Sequence, residues 1–265
     1  MWSIPRVVAR VPVLRGVVRL AISGYALLFK ERFMVEHRMG LLLLLDRENA
    51  IDWQLLLSGG WERPELEELL GLAEEIRRHH GGDAVFFDIG AHWALYALVA
   101  HRSGRFKQII AFEPDPINFS QLQANMFLNG SQADIQAFQL AATDRDRSFG
   151  LSQRTRRNRG GTRVSEVDQN TRVTCRGVRV DSLFDFSDKI LVIKIDVEGH
   201  ELEALEGLTN LVSKNRCVIQ IEIWNVPEGE TERRFEIICR MLAPHGIKFV
   251  RAINADFFFV SEERT

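Results

Sequence analysis

From about residue 84 onward the chain alternates short runs of β-branched and aromatic residues with stretches of helical period, and few folds accept that alternation. Strands joined by helices run parallel, and their crossovers lay helices on both faces of the sheet. Val85 to Phe87, Gln108 to Phe112, Leu191 to Ile195 and Cys217 to Ile223 read as buried strands. Trp93 to Arg102, a segment opened by Asp115 and Pro116, Glu201 to Val212 and Thr231 to Leu242 read as helices; Phe119, Leu122 and Met126 mark the second by their spacing. Ile135 to Leu140 and Arg172 to Val180 add strands, and Lys248 to Arg251 with Phe257 to Val260 close the chain as a strand pair. The expected architecture is a doubly wound, Rossmann-like α/β sheet, mostly parallel.

A chain of 265 residues buries one such core with material left over. The boundary is expected after His79, His80, Gly81 and Gly82, giving an extension over 1–80 and a main domain over 81–265. Arg6, Arg10, Arg15, Arg19 and Lys30 stand among apolar residues, the pattern of basic amphipathic helices packed on the core or resting on anionic lipid. Arg15 and Arg19 break the run before it reaches the length needed to span a membrane. Phe33 to Leu45 reads as a hairpin about Met39 and Gly40, Ile51 to Leu57 as a helix broken by Gly59 and Gly60, and Pro64 opens another helix.

A net charge of −2 gives no general attraction to polyanions, so no nucleic-acid partner is expected. Cys175, Cys217 and Cys239 are odd in number and widely spaced, which fits a reducing cytoplasm, with peripheral contact at the inner membrane surface open through the basic N-terminal helices. The polar run from Arg154 to Arg163 reads as a surface loop, whose arginines could close over an acidic acceptor.

In open α/β sheets ligands bind beyond the carboxyl ends of the strands. Three strands here end in acids, Asp88, Glu113 and Asp196, and buried strand ends do not need carboxylates for packing. After Asp88 the loop carries Gly90 and Ala91, small residues that let a ligand approach the backbone, but not the G-x-G-x-x-G pattern that cradles a pyrophosphate. Glu113 sits where a carboxylate can accept from both hydroxyls of a ribose, or alternatively caps a helix beside Pro114 and Asp115. Lys194 to Glu201 places Asp196, Glu198, His200 and Glu201 at one strand-to-helix turn, where general-base groups could meet a substrate hydroxyl. Plainer readings cover Glu201 as a helix cap and His200 as a loop residue.

The motifs F-D-I-G-A-H-W-A-L-Y at Phe87 to Tyr96, A-F-E-P-D-P-I-N-F at Ala111 to Phe119, I-K-I-D-V-E-G-H-E-L-E-A-L-E-G at Ile193 to Gly207 and I-E-I at Ile221 to Ile223 resemble the FkbM-type methyltransferases. The resemblance implies a seven-strand methyltransferase sheet with an antiparallel terminal strand, and S-adenosylmethionine-dependent methylation of a hydroxyl on a sugar, glycan or specialised metabolite. It implies that Asp88, Gly90 and Ala91 line the methionine end of the cofactor, with His92 beside them. Glu113 and Pro114 would meet the ribose, Ala141 and Ala142 the adenine, while Asp196 and Glu198 would face the reaction centre. His92 stands where the family usually has asparagine, bringing a group that titrates near neutral pH, and Ala94 where it has a second glycine, which suits helical backbone angles.

The expected chemistry is in-line transfer with a base drawn from Asp196, Glu198, His200 and Glu222. A divalent cation on Asp196, Glu198 and Glu222 is the less favoured variant, and no metal site is assigned. Two rivals remain at this stage: a catalytically inactive binding or scaffold protein, and a nicotinamide-dependent oxidoreductase.

Overall fold

The computed structural model describes residues 32–155, 158–167, 171, 173–223 and 229–262; the basic segment over 1–30 lies outside them. Strands β1 (Phe33–Arg38) and β2 (Leu41–Asp46) form the expected hairpin. Its two turn residues, Met39 and Gly40, both have positive φ (52° and 77°), the geometry whose twist matches a two-residue hairpin. Leu41, Leu43 and Leu45 on one face of β2 are buried, and the hairpin is held to the main body from the side. Asn125 and Asn129 accept from the backbone N–H groups of Leu44 and Leu42.

Helices α1 (Ala50–Ser58) and α2 (Arg63–His80) follow, the second opened by Pro64 and presenting Leu66, Leu69, Leu72, Ala73 and Ile76 to the core. The main sheet then builds from β3 (Ala84–Ile89), α3 (Leu95–Ser103), β4 (Gln108–Phe112), α4 (Pro116–Leu128) and β5 (Ile135–Phe138). Asp115 caps α4, its carboxylate accepting from the N–H groups of Ile117 and Asn118. After an intervening small sheet come β10 (Ile190–Ile195), α5 (Glu201–Glu206), α6 (Thr209–Lys214), β11 (Arg216–Glu222), α7 (Glu230–Leu242), β12 (Ile247–Ile253) and β13 (Asp256–Ser261). The seven strands lie in the order β5-β4-β3-β10-β11-β13-β12; β3, β4, β5, β10 and β11 pair in parallel, and β13 pairs antiparallel with both neighbours. The chain leaves β3 in one direction and returns through β10 on its other side, so the order reverses between them. Two apolar layers cover the sheet, one around Phe86, Val192, Val218 and Phe258, the other around Phe87, Ile193, Ile219 and Phe259.

Two expectations change. The arginine-rich run is not a loop: β6 (Ala141–Ala142), β7 (Arg147–Thr155), β8 (Asn158–Ser165) and β9 (Thr174–Val178) form a second sheet in the order β6-β9-β7-β8. Arg159 on β8 is 2% exposed and paired with Asp46 of β2. The helix expected over Glu201 to Val212 divides at Gly207, where a Cβ would lie 2.0 Å from the carbonyl oxygen of Thr143, so the chain turns to let that strand end pass. Among the described residues no helix is long and apolar enough to cross a membrane.

Candidate active site

Side chains of paired strands in register share a face. Asp88, Lys194 and Gln220 are such a row across β3, β10 and β11, and Glu222 pairs with Asp256 one step further on. Below them the face is apolar; at its carboxyl edge it turns polar and opens into a cavity of about 760 Å³ at the point of strand reversal. That size suits a small-molecule site. Asp88, Gly90, Ala91, His92, Glu113, Pro114, Ala141, Ala142, Asp196, Glu198 and Glu222 all line it. Glu198 does so from a left-handed backbone, φ 50°. His200 is the exception: its ring meets the hydroxyl of Thr143 at 2.9 Å, stands 3.6 Å from Glu203 and packs edge-on to Phe149, outside the cavity wall. Glu201 is not a helix cap: it is 1% exposed, pairs with Arg234 and accepts from the N–H of Gly199, ahead of the helix.

At the β3 end, the Asp88 carboxylate accepts from the N–H of Ala97 at 2.9 Å, and burial raises its pKa to about 6. Gly90 is required by the protein itself, because a Cβ there would lie 1.7 Å from the carbonyl oxygen of Asp196 and φ is 84°. The loop therefore locks against the end of β10 while Gly90 and Ala91 still line the cavity. Ala94 has φ 73°, a left-handed conformation rather than the helical one expected. His92 also has positive φ, and burial together with the charge of Arg159 lowers its pKa to about 3, so it stays neutral instead of titrating near pH 7.

Glu113 is 5% exposed. Its Oε2 accepts from the N–H of His92 at 2.8 Å, and its Oε1 from the N–H of Asp115 at 2.9 Å and Nδ2 of Asn118 at 3.4 Å. A carboxylate offers about four acceptor positions. The structure thus leaves one on Oε2, for a single ligand hydroxyl rather than the two expected. Burial raises the Glu113 pKa to about 8. The buried atoms Oδ1 of Asn118 and Nε1 of Trp93, in the same wall, have no hydrogen-bond partner within the protein, as suits a surface that meets a polar ligand.

The β10 end is organised around a residue the motif reading passed over. Lys194 is 1% exposed; its Nζ lies 2.8 Å from Asp256, 3.6 Å from Glu222 and 5.1 Å from the centre of the Tyr96 ring. Burial opposes the charge, but Asp256, Tyr96 and Asp196 outweigh it and hold the ammonium protonated. Asp196 and Glu222 hydrogen-bond to each other. Two carboxylates so joined share a proton. Burial raises Asp196 to about 7, while the charge of Asp196, followed by burial, raises Glu222 to about 9. Glu62, at the start of α2, joins the cluster through Tyr96, and Gln220 donates to Tyr96 and Asp256. A lysine inside an otherwise apolar strand was the available signal for this network. Glu62 gave none, since an acid before a helix reads as a cap.

This strand order, with a single reversed strand and the cavity at the switch point, defines a Rossmann-like fold. The chain belongs to the FkbM methyltransferase family: the profile of the methyltransferase FkbM domain matches residues 79–249. It is 29% identical over 208 residues to the hexuronic acid methyltransferase AglP of Haloferax volcanii, covering 68% of this chain and 84% of that one. It is 30% identical over 147 residues to methyltransferase 1 of Beauveria bassiana, covering 48% and 59%. Among solved structures it is similar to the FkbM methyltransferase of Methylobacillus flagellatus, with a TM-score of 0.48 and 18% identity over 78% of this chain and 52% of that one. The match therefore takes in about half of the Methylobacillus chain.

Proposed function

We propose that the protein is an S-adenosylmethionine-dependent O-methyltransferase acting on a sugar hydroxyl. The observation that carries this reading is the acidic lining of the cavity. Asp88, Glu113, Asp196, Glu198, Glu222 and Asp256 line it, with Lys194 the one basic side chain among the described lining residues that carries charge, and that charge already faces Asp256 and Glu222. Asp88, with a pKa of about 6, is ionised at neutral pH, and the protonated Glu113 and Glu222 can lose their protons to meet a cation but not a pyrophosphate, so the nicotinamide reading loses ground. S-adenosylmethionine, when bound, supplies a methyl group made electrophilic by a positively charged sulfur. Asp88 would hold its ammonium end, Glu113 one ribose hydroxyl through the open position on Oε2, and Ala141 and Ala142 the adenine. The sugar reading draws on AglP, named for its hexuronic acid substrate.

The chain's own part in the reaction centres on Asp196. With Glu222 keeping the shared proton, the ionised Asp196 takes the acceptor's hydroxyl proton as the oxygen gains the methyl, and the bonding pair of the broken carbon–sulfur bond stays with sulfur. Lys194 offsets part of the cluster's negative charge, and the strand ends would hold the acceptor beside Asp196. The test is transfer of labelled methyl from S-adenosylmethionine to sugar acceptors. Asp196→Ala is expected to lower kcat by about 10²- to 10⁴-fold with cofactor affinity retained; full turnover in that variant would refute the assignment.

A further inference from the structure

The cavity has a second half that the cofactor reading does not use. It lies where the start of α2 meets the β12–β13 turn, and its wall includes Trp61, Glu62, Glu65, Asn254 and Asp256. Glu65 is 2% exposed, with Oε1 accepting from Nδ2 of Asn254, while its buried Oε2 has no partner within the protein. A buried carboxylate oxygen left in this state costs free energy unless a ligand donor completes it. Trp61, half-buried, is the aromatic surface beside it. The segment is held in place by Glu62, whose backbone is left-handed (φ 44°) and whose carboxylate is tied to Tyr96.

We propose that this half is the acceptor subsite and that it takes a neutral pyranose, one ring face against Trp61 and a hydroxyl donating to Glu65. The inference rests on the methyl-transfer reading of the same cavity. The groups displayed are acceptors of hydrogen bonds beside an indole, which match a ring that is apolar on its faces and carries hydroxyl donors at its edge. They do not match a uronate. Lys194, the charged basic side chain among the described residues of this wall, already faces two carboxylates, and a third anion would be left without a partner. The acceptor class therefore differs from the hexuronic acid for which AglP is named.

Two measurements on the full chain test this. Saturation-transfer NMR, without cofactor, would compare methyl glucopyranoside and methyl galactopyranoside with the corresponding uronides; methyl transfer to the same four compounds would then be followed. Contact and turnover are expected for the neutral member of each pair, with kcat/KM at least about tenfold above its uronide. Trp61→Ala and Glu65→Gln are expected to raise the acceptor KM by about ten- to a hundredfold while S-adenosylmethionine affinity stays within about twofold. Trp61→Phe, which keeps an aromatic face, recovers most of the loss and separates recognition from misfolding. Preference for the uronides, no response to any of the four sugars, or an unchanged KM in both variants would overturn the subsite. Absence of S-adenosylmethionine binding in the wild type would instead overturn the reading on which it rests.

Discussion

At Gly90 a single hydrogen atom decides whether two strand ends can meet, since any Cβ would enter the carbonyl of Asp196. Gly90→Ala is expected to cost about 3 kcal/mol or more, combining left-handed strain with the clash, and chemical denaturation would measure it. Asp196 sets a second expectation at this scale. Its pKa is raised to about 7 by burial, and the base must be ionised. kcat/KM should therefore fall about tenfold per pH unit below pH 7. A Glu222→Ala variant should move that limb upward, because the protonated Glu222 donates a hydrogen bond that favours the ionised Asp196. A limb unmoved in the variant would show that the pair does not titrate as a unit. The acids at strand ends were legible in the sequence because a carboxylate closing an apolar strand has no packing purpose. Neither the neutrality of His92 nor the left-handed angle at Ala94 was, since both follow from what packs around them.

Among the elements, the second sheet carries the largest departure from the sequence reading. Gly160, Gly161 and the surrounding arginines have the composition of a surface loop, yet β8 is pinned by Arg159 to Asp46 of β2 and to Gln121 of α4, while its backbone carbonyl accepts from Asn118. Local composition cannot register a partner more than a hundred residues away. The alternating strands and helices of the main sheet were legible because burial on both faces writes a continuous apolar run. Arg159→Met is expected to destabilise the protein by about 3–5 kcal/mol by leaving a buried carboxylate short of a partner, although Arg32 also pairs with Asp46 and moderates the loss. The same variant should raise the pKa of His92 from its depressed value, because the charge of Arg159 helps to hold it down. Denaturation and histidine NMR titration read these two effects separately.

For the whole molecule, the cluster of raised carboxylates couples folding to pH. Asp88, Asp196, Glu113 and Glu222 have folded pKa values of about 6, 7, 8 and 9, against about 4 in an unfolded chain. Between those limits the folded state binds more protons than the unfolded one, so stability falls as pH rises. These groups contribute fully below about pH 4, and their contribution is lost progressively towards pH 9. The ligand-free protein should melt at a higher temperature at pH 5.5 than at pH 8.5. A cationic ligand that favours the ionised carboxylates should narrow the gap; a melting temperature that rises with pH would contradict the protonation pattern.

The most direct test of the account is calorimetric titration of S-adenosylmethionine into the purified, ligand-free protein at pH 7, repeated in buffers of different ionisation enthalpy. Binding with net release of protons is predicted, because the ligand's positive charge drives Asp88 and Glu113 to ionise. Binding should be lost in Asp88→Ala and Glu113→Ala, and a nicotinamide dinucleotide should produce no heat. A folded wild-type protein that does not bind S-adenosylmethionine, or binds the dinucleotide in its place, would contradict the account.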